Sequence, residues 1–508
     1  MKRRTFIKSS TLGLGSLSIV MGSELLGLGS SALANSNSRD PFKRPFQVPP
    51  LDTGRREGTH VKFDLSMQTG TTNFIGNLDT PTLGINGSYV GPVLRAQRGD
   101  RISFAVKNNL PDITTLHWHG FILPVEMDGG PHQTIQPGET WNPEFQVVQA
   151  AASYWYHAHP HERTGEQVYH GLAGMMIIDD DASLNASLPI DYGVDDIPVV
   201  IQDRAFNRNG TLRYLGSMPD RMHGMQGNII LVNGVVTPTL KAERPLTRLR
   251  LLNGSNARIY NLAFDDNRPF TLIATDGGLL AQAETVKGIH LAPGERAEIL
   301  LDLSDGRDVV LRNKPTPQSS QGGMMGMMAM MDGGNEAFNI MKIAAPASPG
   351  KTRVQIPTQL NPLPDWRDVR VANKRQFQLE MAMGPGMMSR MMGGSPFSIN
   401  GESMDMDVIN VRVKSNTFEI WEIGNNSMLA HPFHIHDTQF RVIARSHGRP
   451  ISATERGLKD TVLVYPQEKV RLLVPFPEYS DSTRPYMYHC HILEHEDGGM
   501  MGQFTVEA

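Results

Sequence analysis

His489-Cys490-His491 holds the only cysteine of a 508-residue chain between two histidines, so no intramolecular disulfide is open to it. His495 follows five residues after Cys490, and Met500 ten residues after it. A thiolate, an imidazole and a distant thioether are the donors of an electron-transfer copper site. Successive side chains in a strand point to opposite faces. If Cys490 faces one metal, His489 and His491 face away from it, with Cα atoms about 6.5 Å apart. The two histidines can then serve two neighbouring ions, each joined to the thiolate by a short covalent path. Taken alone, a single cysteine is as readily a buried small apolar residue or a free thiol, and the rest of the chain has to decide.

Three more His-x-His pairs are present. They are His117-Trp118-His119, His157-Ala158-His159 and His434-Ile435-His436, the last preceded by His431. Each lies in a stretch rich in aromatic or branched residues and reads as a strand with both imidazoles on one face. Neutral imidazole is the commonest metal ligand and suits copper. An isolated pair is more often a surface or hydrogen-bonded core feature. Four pairs around a sole cysteine are not explained that way. With His431 and His495 they account for ten of the 17 histidines.

The motifs HWHG, HAH, HPFHIH and HCHILEH, in this order, resemble those of the multicopper oxidases, and among them the bacterial copper efflux oxidases and laccase-like enzymes. The resemblance runs from about residue 45 to the C-terminus. It implies an all-β fold of three cupredoxin-like Greek-key β-sandwich domains and four copper ions. His431, Cys490 and His495 would hold the type 1 copper, with Met500 as weak axial ligand. His117 and His434 would hold the type 2 copper. The two type 3 ions would be held by His119, His157 and His491, and by His159, His436 and His489. His161 makes a competing pair with His159; the family pattern, which begins right after the aromatic run, favours His157 and His159.

The same resemblance implies one-electron oxidation of a reductant coupled to reduction of dioxygen to water, which takes four electrons and four protons. The cofactor does the hard chemistry while the protein sets positions and potentials. Protons need carboxylates within reach, and family likeness places Glu496 and Asp128 beside the cluster as relays. Each has a simpler reading. Glu496 sits in the acidic run Glu494-His495-Glu496-Asp497, where a loop acid would be solvated, and Asp128-Gly-Gly-Pro is a strong turn signal.

The N-terminus, Lys2-Arg3-Arg4-Thr5-Phe6-Ile7-Lys8, resembles a twin-arginine export signal. An apolar, Gly-rich region and the small-residue site Ala32-Leu33-Ala34 follow, so residues 1–34 read as a cleaved signal recognised by the twin-arginine export machinery. The mature chain is expected in the periplasm, as a monomer. No other stretch is long and apolar enough to span a membrane. The signal carries Lys2, Arg3, Arg4 and Lys8 against Glu24, a net of +3, so its removal takes the formal charge from −4 to −7. No basic patch argues for nucleic acid.

Length fits about three domains at ~150 residues each. Abundant Gly and Pro between short β-type runs such as Arg101–Val106, Arg248–Leu252 and Lys469–Val474 indicate β-sandwiches. The expected domains cover 45–181, 182–350 and 374–508, with a connection between Pro346 and Asp368. The middle one carries no paired histidines and would space the outer two, which would share a trinuclear cluster. Asn233-Gly234 and Asn400-Gly401 read as hairpin turns.

Two methionine runs are unusual in a chain with 28 methionines. One holds Met324, Met325, Met327 and Met328; the other holds Met387, Met388, Met391 and Met392. Thioethers favour Cu(I), and copper efflux oxidases carry Met-rich insertions that handle it. The competing reading is flexible apolar filler, against which the flanking Gly, Pro and Ser indicate exposed loops. One departure from those relatives concerns their cuprous site: an acid and a Met ahead of HPFHIH are replaced here by Ser427 and Leu429.

Three functions are open. The chain is a multicopper oxidase acting on Cu(I), phenols or both, a copper-sequestering resistance protein with little turnover, or a non-catalytic cell-division relative. The complete ligand set disfavours the last. Replacing Cys490 with Ser is expected to abolish the blue colour and turnover while leaving the trinuclear ligands in place; visible absorption and oxygen uptake of the copper-loaded variant check this.

Overall fold

The computed structural model describes residues 41–315, 336–347, 356–382, 395–476 and 478–508. The export signal and both methionine runs lie outside the described residues.

Strict alternation builds the first sheets. In the strand His60–Thr72, Val61, Phe63, Leu65 and Met67 point inward and are at most 1% exposed. This strand runs parallel to Arg101–Asn108 with Val61 opposite Ile102, Phe63 opposite Phe104 and Leu65 opposite Val106. A one-residue slip would turn all of these to solvent, so burial pins the register. The sheet has six strands; a five-stranded sheet, ordered Leu51–Asp52, Val93–Gln97, Ala173–Asp179, Ala152–His157, His117–His119, faces it. Trp118 stacks on Phe104 between them, with centroids 4.0 Å apart.

Residues 196–344 form a second pair, of seven and five strands, and residues 371–507 a third, of five and five. Each pair encloses its own apolar core. The architecture is all-β, of cupredoxin-like double sheets. Two hairpins turn on Asn-Gly. Asn233 and Gly234 have φ of 50° and 77°, and Asn400 and Gly401 have 55° and 80°. Two successive positive φ values define the type I′ turn, which only such a pair adopts readily. The connection runs along an edge of the middle sheets, where Ala283 N donates to Thr358 O at 3.0 Å. Among the described residues, no helix is long and apolar enough to cross a membrane.

The middle pair also buries charge. Arg250 stands opposite Glu298 on the neighbouring strand. Its guanidinium bonds Asp196 Oδ1 at 2.6 Å and Glu298 Oε1 at 2.9 Å. Ser153, on the Ala152–His157 strand, donates to the same Glu298 oxygen at 2.7 Å. The network thus joins the first and middle pairs. Burial by itself would raise the Glu298 pKa, but Arg248 and Arg250 outweigh it and hold the carboxyl at about 2, against an ordinary 4.5. A depressed carboxyl stabilises the fold above its unfolded pKa, and that stability is lost as pH falls through the folded one. Wild-type stability is therefore expected to lose about 3 kcal/mol from this group between roughly pH 4.5 and 2. Glu298→Gln is expected to be less stable at neutral pH and flatter across that window, as read by urea unfolding at each pH.

Candidate metal centre

Two strand pairs carry the histidines to one place. His117–His119 pairs antiparallel with Ala152–His157, setting His117 opposite His157. His431–Ile435 pairs with Asp481–Cys490, setting His434 opposite His489 and Phe433 opposite Cys490. Only the first His-x-His lies wholly inside a strand. The other three strands stop at His157, Ile435 and Cys490, which corrects the expectation of a strand for every pair. Past those ends the His431–Ile435 and Asp481–Cys490 strands keep their register for one more rung, and the chain after His157 is held by a side chain. His159 N donates to Thr115 Oγ1 at 2.9 Å, His436 N to Met487 O at 3.0 Å and His491 N to Pro432 O at 2.7 Å.

All eight paired histidines are buried. His117 stacks on His436 with centroids 3.9 Å apart, and His119 on His434 at 3.7 Å. Each stack joins the first sheet pair to the third. The Nε2 atoms of His159 and His436 lie 3.3 and 3.2 Å from Nε2 of His489. The His491 ring sits 5.0 Å from that of His119 and 5.6 Å from that of His157. His117 and His434 have centroids 6.0 Å apart. His161 is partly exposed in the turn beyond and belongs to no donor group.

The ring nitrogens divide into two sets. The first set is tethered. His117 Nδ1 is 2.9 Å from Asp128 O, His434 Nδ1 is 2.8 Å from Asp460 O, and His119 Nε2 is 3.0 Å from Asp460 Oδ1. His436 Nδ1 is 2.8 Å from Asp128 Oδ2, and His157 Nδ1 is 2.9 Å from Ala158 O. His489 Nδ1 is 3.1 Å from Cys490 O, and the Glu496 carboxylate lies in ion-pair range of it and of His159 Nδ1, at 3.1 and 3.3 Å, without a hydrogen bond to either. The second set has no hydrogen-bond partner: His117 Nε2, His119 Nδ1, His157 Nε2, His434 Nε2 and both nitrogens of His491. An unpaired buried polar atom costs about 1–3 kcal/mol. So many facing one another fit metal ions, with the opposite nitrogen fixing the orientation of the His117, His119, His157 and His434 rings.

Burial lowers the pKa of His119, His157, His159, His434, His436 and His491 well below the usual value, with neighbouring imidazoles adding to the effect. Neutral imidazole is the ligating form. Asp128 and Glu496 are 2% and 1% exposed, so neither is a solvated surface acid.

A second, smaller nest lies across the Cys490 strand. Cys490 Sγ is 3.4 Å from His431 Nδ1 and 3.8 Å from His495 Nδ1, and those nitrogens are 3.3 Å apart. Burial pushes the thiol pKa up, so a thiolate here needs a cation beside it. Met500 is fully buried; its carbonyl accepts from Cys490 N at 3.0 Å, and its N–H donates to His495 O at 2.8 Å. Ser427 Oγ sits 2.7 Å from His431 Nε2, so the position that departs from the copper efflux pattern holds the ligand's far nitrogen. The Met222 carbonyl, from the middle segment, is 3.0 Å from His495 Nε2, and Phe397 stacks on that ring at 4.4 Å. Sequence reasoning missed Asp460, Met222 and Phe397. None lies in a histidine motif, and a carbonyl leaves no trace in side-chain patterns.

The donors are thiolate sulfur and imidazole nitrogen in buried nests, which suits a copper protein. Models of the multicopper oxidase family match residues 66–183 and 370–508. The multicopper oxidase Mco of Staphylococcus haemolyticus (strain JCSC1435) is 37% identical over 470 residues, covering 91% of this chain and 93% of its own. The cell division protein FtsP of Edwardsiella tarda (strain FL6-60) is 33% identical over 515 residues, covering 100% of this chain and 99% of its own. A bacterial laccase-like multi-copper oxidase, CueO from Ochrobactrum sp., has oxidase activity towards lignin model compounds and lignosulfonate. Its structure matches with a TM-score of 0.80 at 35% identity, over 91% of this chain and 100% of that one. The chain belongs to the multicopper oxidase family.

Proposed function

We propose that the protein couples one-electron oxidation of Cu(I), phenolic substrates or both to four-electron reduction of dioxygen to water. Copper tolerance in the periplasm, after twin-arginine export of residues 1–34, is the setting we assign it. Its domains would be 45–181, 182–350 and 374–508, with the cluster shared between the first and third.

One observation carries this reading. The Cys490 thiol meets His431 and His495, while its two chain neighbours, His489 and His491, meet five of the other six paired histidines, and His117 stacks on one of these five, His436. A metal in the small nest is therefore one residue of covalent chain away from the large one. In the proposed apportionment His431, Cys490, His495 and Met500 hold type 1 copper, and His117 and His434 hold type 2. His119, His157 and His491 hold one type 3 ion, and His159, His436 and His489 the other. Copper bound there would supply one-electron acceptance at the first site and the stored electrons for dioxygen at the second.

The remaining chemistry falls to carboxylates. Glu496 stands between His159 and His489 and is positioned to move protons to the cluster. Asp128 bridges His436 and His117 and serves the other side. The relative acting on lignin model compounds supports phenols. The thioether-rich runs at Met324–Met328 and Met387–Met392 support Cu(I). Full-length likeness to a cell division protein favours a second reading, in which the fold serves assembly instead of turnover; the intact donor set argues for the oxidase.

Oxygen uptake by the copper-loaded protein, with Cu(I) and then with a phenol, decides between them. Uptake is expected with at least one; an intensely blue protein with neither would sink the oxidase reading. Glu496→Gln is expected to slow oxygen consumption by about 10²–10⁴-fold, the usual share of a proton-transfer group, and to leave the blue absorption intact. Unchanged turnover would remove the relay role.

A further inference from the structure

The middle sheet pair gives the large nest no donor, yet it presses on it. A Cβ at Gly294 would lie 3.0 Å from the His491 ring. Two residues on, Arg296 opens the strand Arg296–Asp302 and is fully buried. A guanidinium has five N–H donors in a fixed fork, and here every one is used. Nε donates to Ser153 O at 2.9 Å, on the strand that leads to His157. Nη1 donates to Gly294 O at 3.0 Å and to Asp460 Oδ1 at 2.8 Å. Nη2 donates to Asp276 O at 3.1 Å and to Asp460 Oδ2 at 2.6 Å. The bidentate pair leaves the Asp460 carboxylate one orientation.

That orientation matters because of what else Asp460 touches. Its Oδ1 lies 3.0 Å from His119 Nε2 and accepts from Thr461 Oγ1 at 3.0 Å. Its backbone carbonyl lies 2.8 Å from His434 Nδ1. His119 and His434 are the closely stacked pair, one from each outer sheet pair. Each keeps its other nitrogen unpaired and facing the nest. A neutral wall behind these rings would leave both free to tilt.

We propose that Arg296 is a positioning residue for the large nest, acting through Asp460 on His119 and His434. The middle segment is then part of the metal centre and not merely its spacer. The inference rests on the nest holding copper, as in the proposed function, but not on turnover.

The test uses the copper-loaded full chain and compares Arg296→Met with Arg250→Met. Arg250 is a control of equal size and like burial that bonds Asp196, Glu298 and Ser153 Oγ but touches neither Asp460 nor a nest histidine. Loss of an outer partner of a ligand weakens metal binding by about 10–100-fold. Arg296→Met is expected to lose copper from the nest to a chelator by that factor. Its type 2 electron paramagnetic resonance splitting should change while the blue absorption of the Cys490 site stays. Arg250→Met should lose stability and keep the wild-type splitting. Arg296→Lys keeps the charge but not the fork, so its splitting should lie between; if Arg296→Met does not fold, this variant decides. Wild-type copper retention and splitting in the foldable Arg296 variants would overturn the proposal. A wild-type protein that binds copper and shows these signals without oxygen uptake would defeat the oxidase reading and leave this one standing.

Discussion

Eight buried imidazoles facing one another are the constraint on which the structure turns. Seven have one nitrogen tethered or a carboxylate close by, His491 has neither nitrogen bonded, and most rings keep a nitrogen with nothing to bond. In an apolar interior that arrangement is costly: unpaired nitrogens lose their hydration, and protons on two neighbouring rings would repel each other. It is tolerable only if cations occupy the space between. The stacks of His117 on His436 and His119 on His434 mean that neither outer sheet pair owns the site. Metal affinity and the docking of the two are therefore one free energy.

The middle sheets change character in this light. They hold no donor, but their buried charges meet both neighbours. Arg250 and Glu298 reach Ser153, Arg296 reaches Ser153 and Asp460, and Lys459 pairs with Asp276 and Glu295. Breaking such a pair leaves a buried charge uncompensated, which costs far more than the intact pair gains. Networks of this kind specify one relative placement of sheets better than apolar contact, which tolerates sliding.

Much of this was legible in the chain. The short β-type runs appear as strands, and both Asn-Gly dipeptides appear as type I′ turns, because these signals are local. The histidine motifs also pointed to one metal centre, since residue type and spacing of two are enough to nominate donors. Three pairs nonetheless run past their strand ends. Periodicity cannot show where a ladder stops, although the register itself carries on to His436 and His491, whose N–H groups bond Met487 O and Pro432 O.

What the sequence determined by itself is the donor chemistry: a lone thiol, imidazoles in pairs, and the covalent link from Cys490 to His489 and His491. These follow from composition and adjacency, which folding cannot alter. The tertiary structure alone decided which rings share a space, and what stands behind them. Asp460 behind His119 and His434, the Met222 carbonyl behind His495 and Arg296 behind Asp460 come from distant segments. Their roles depend on the aim of side chains and carbonyls across sheet faces, a quantity that no local pattern encodes.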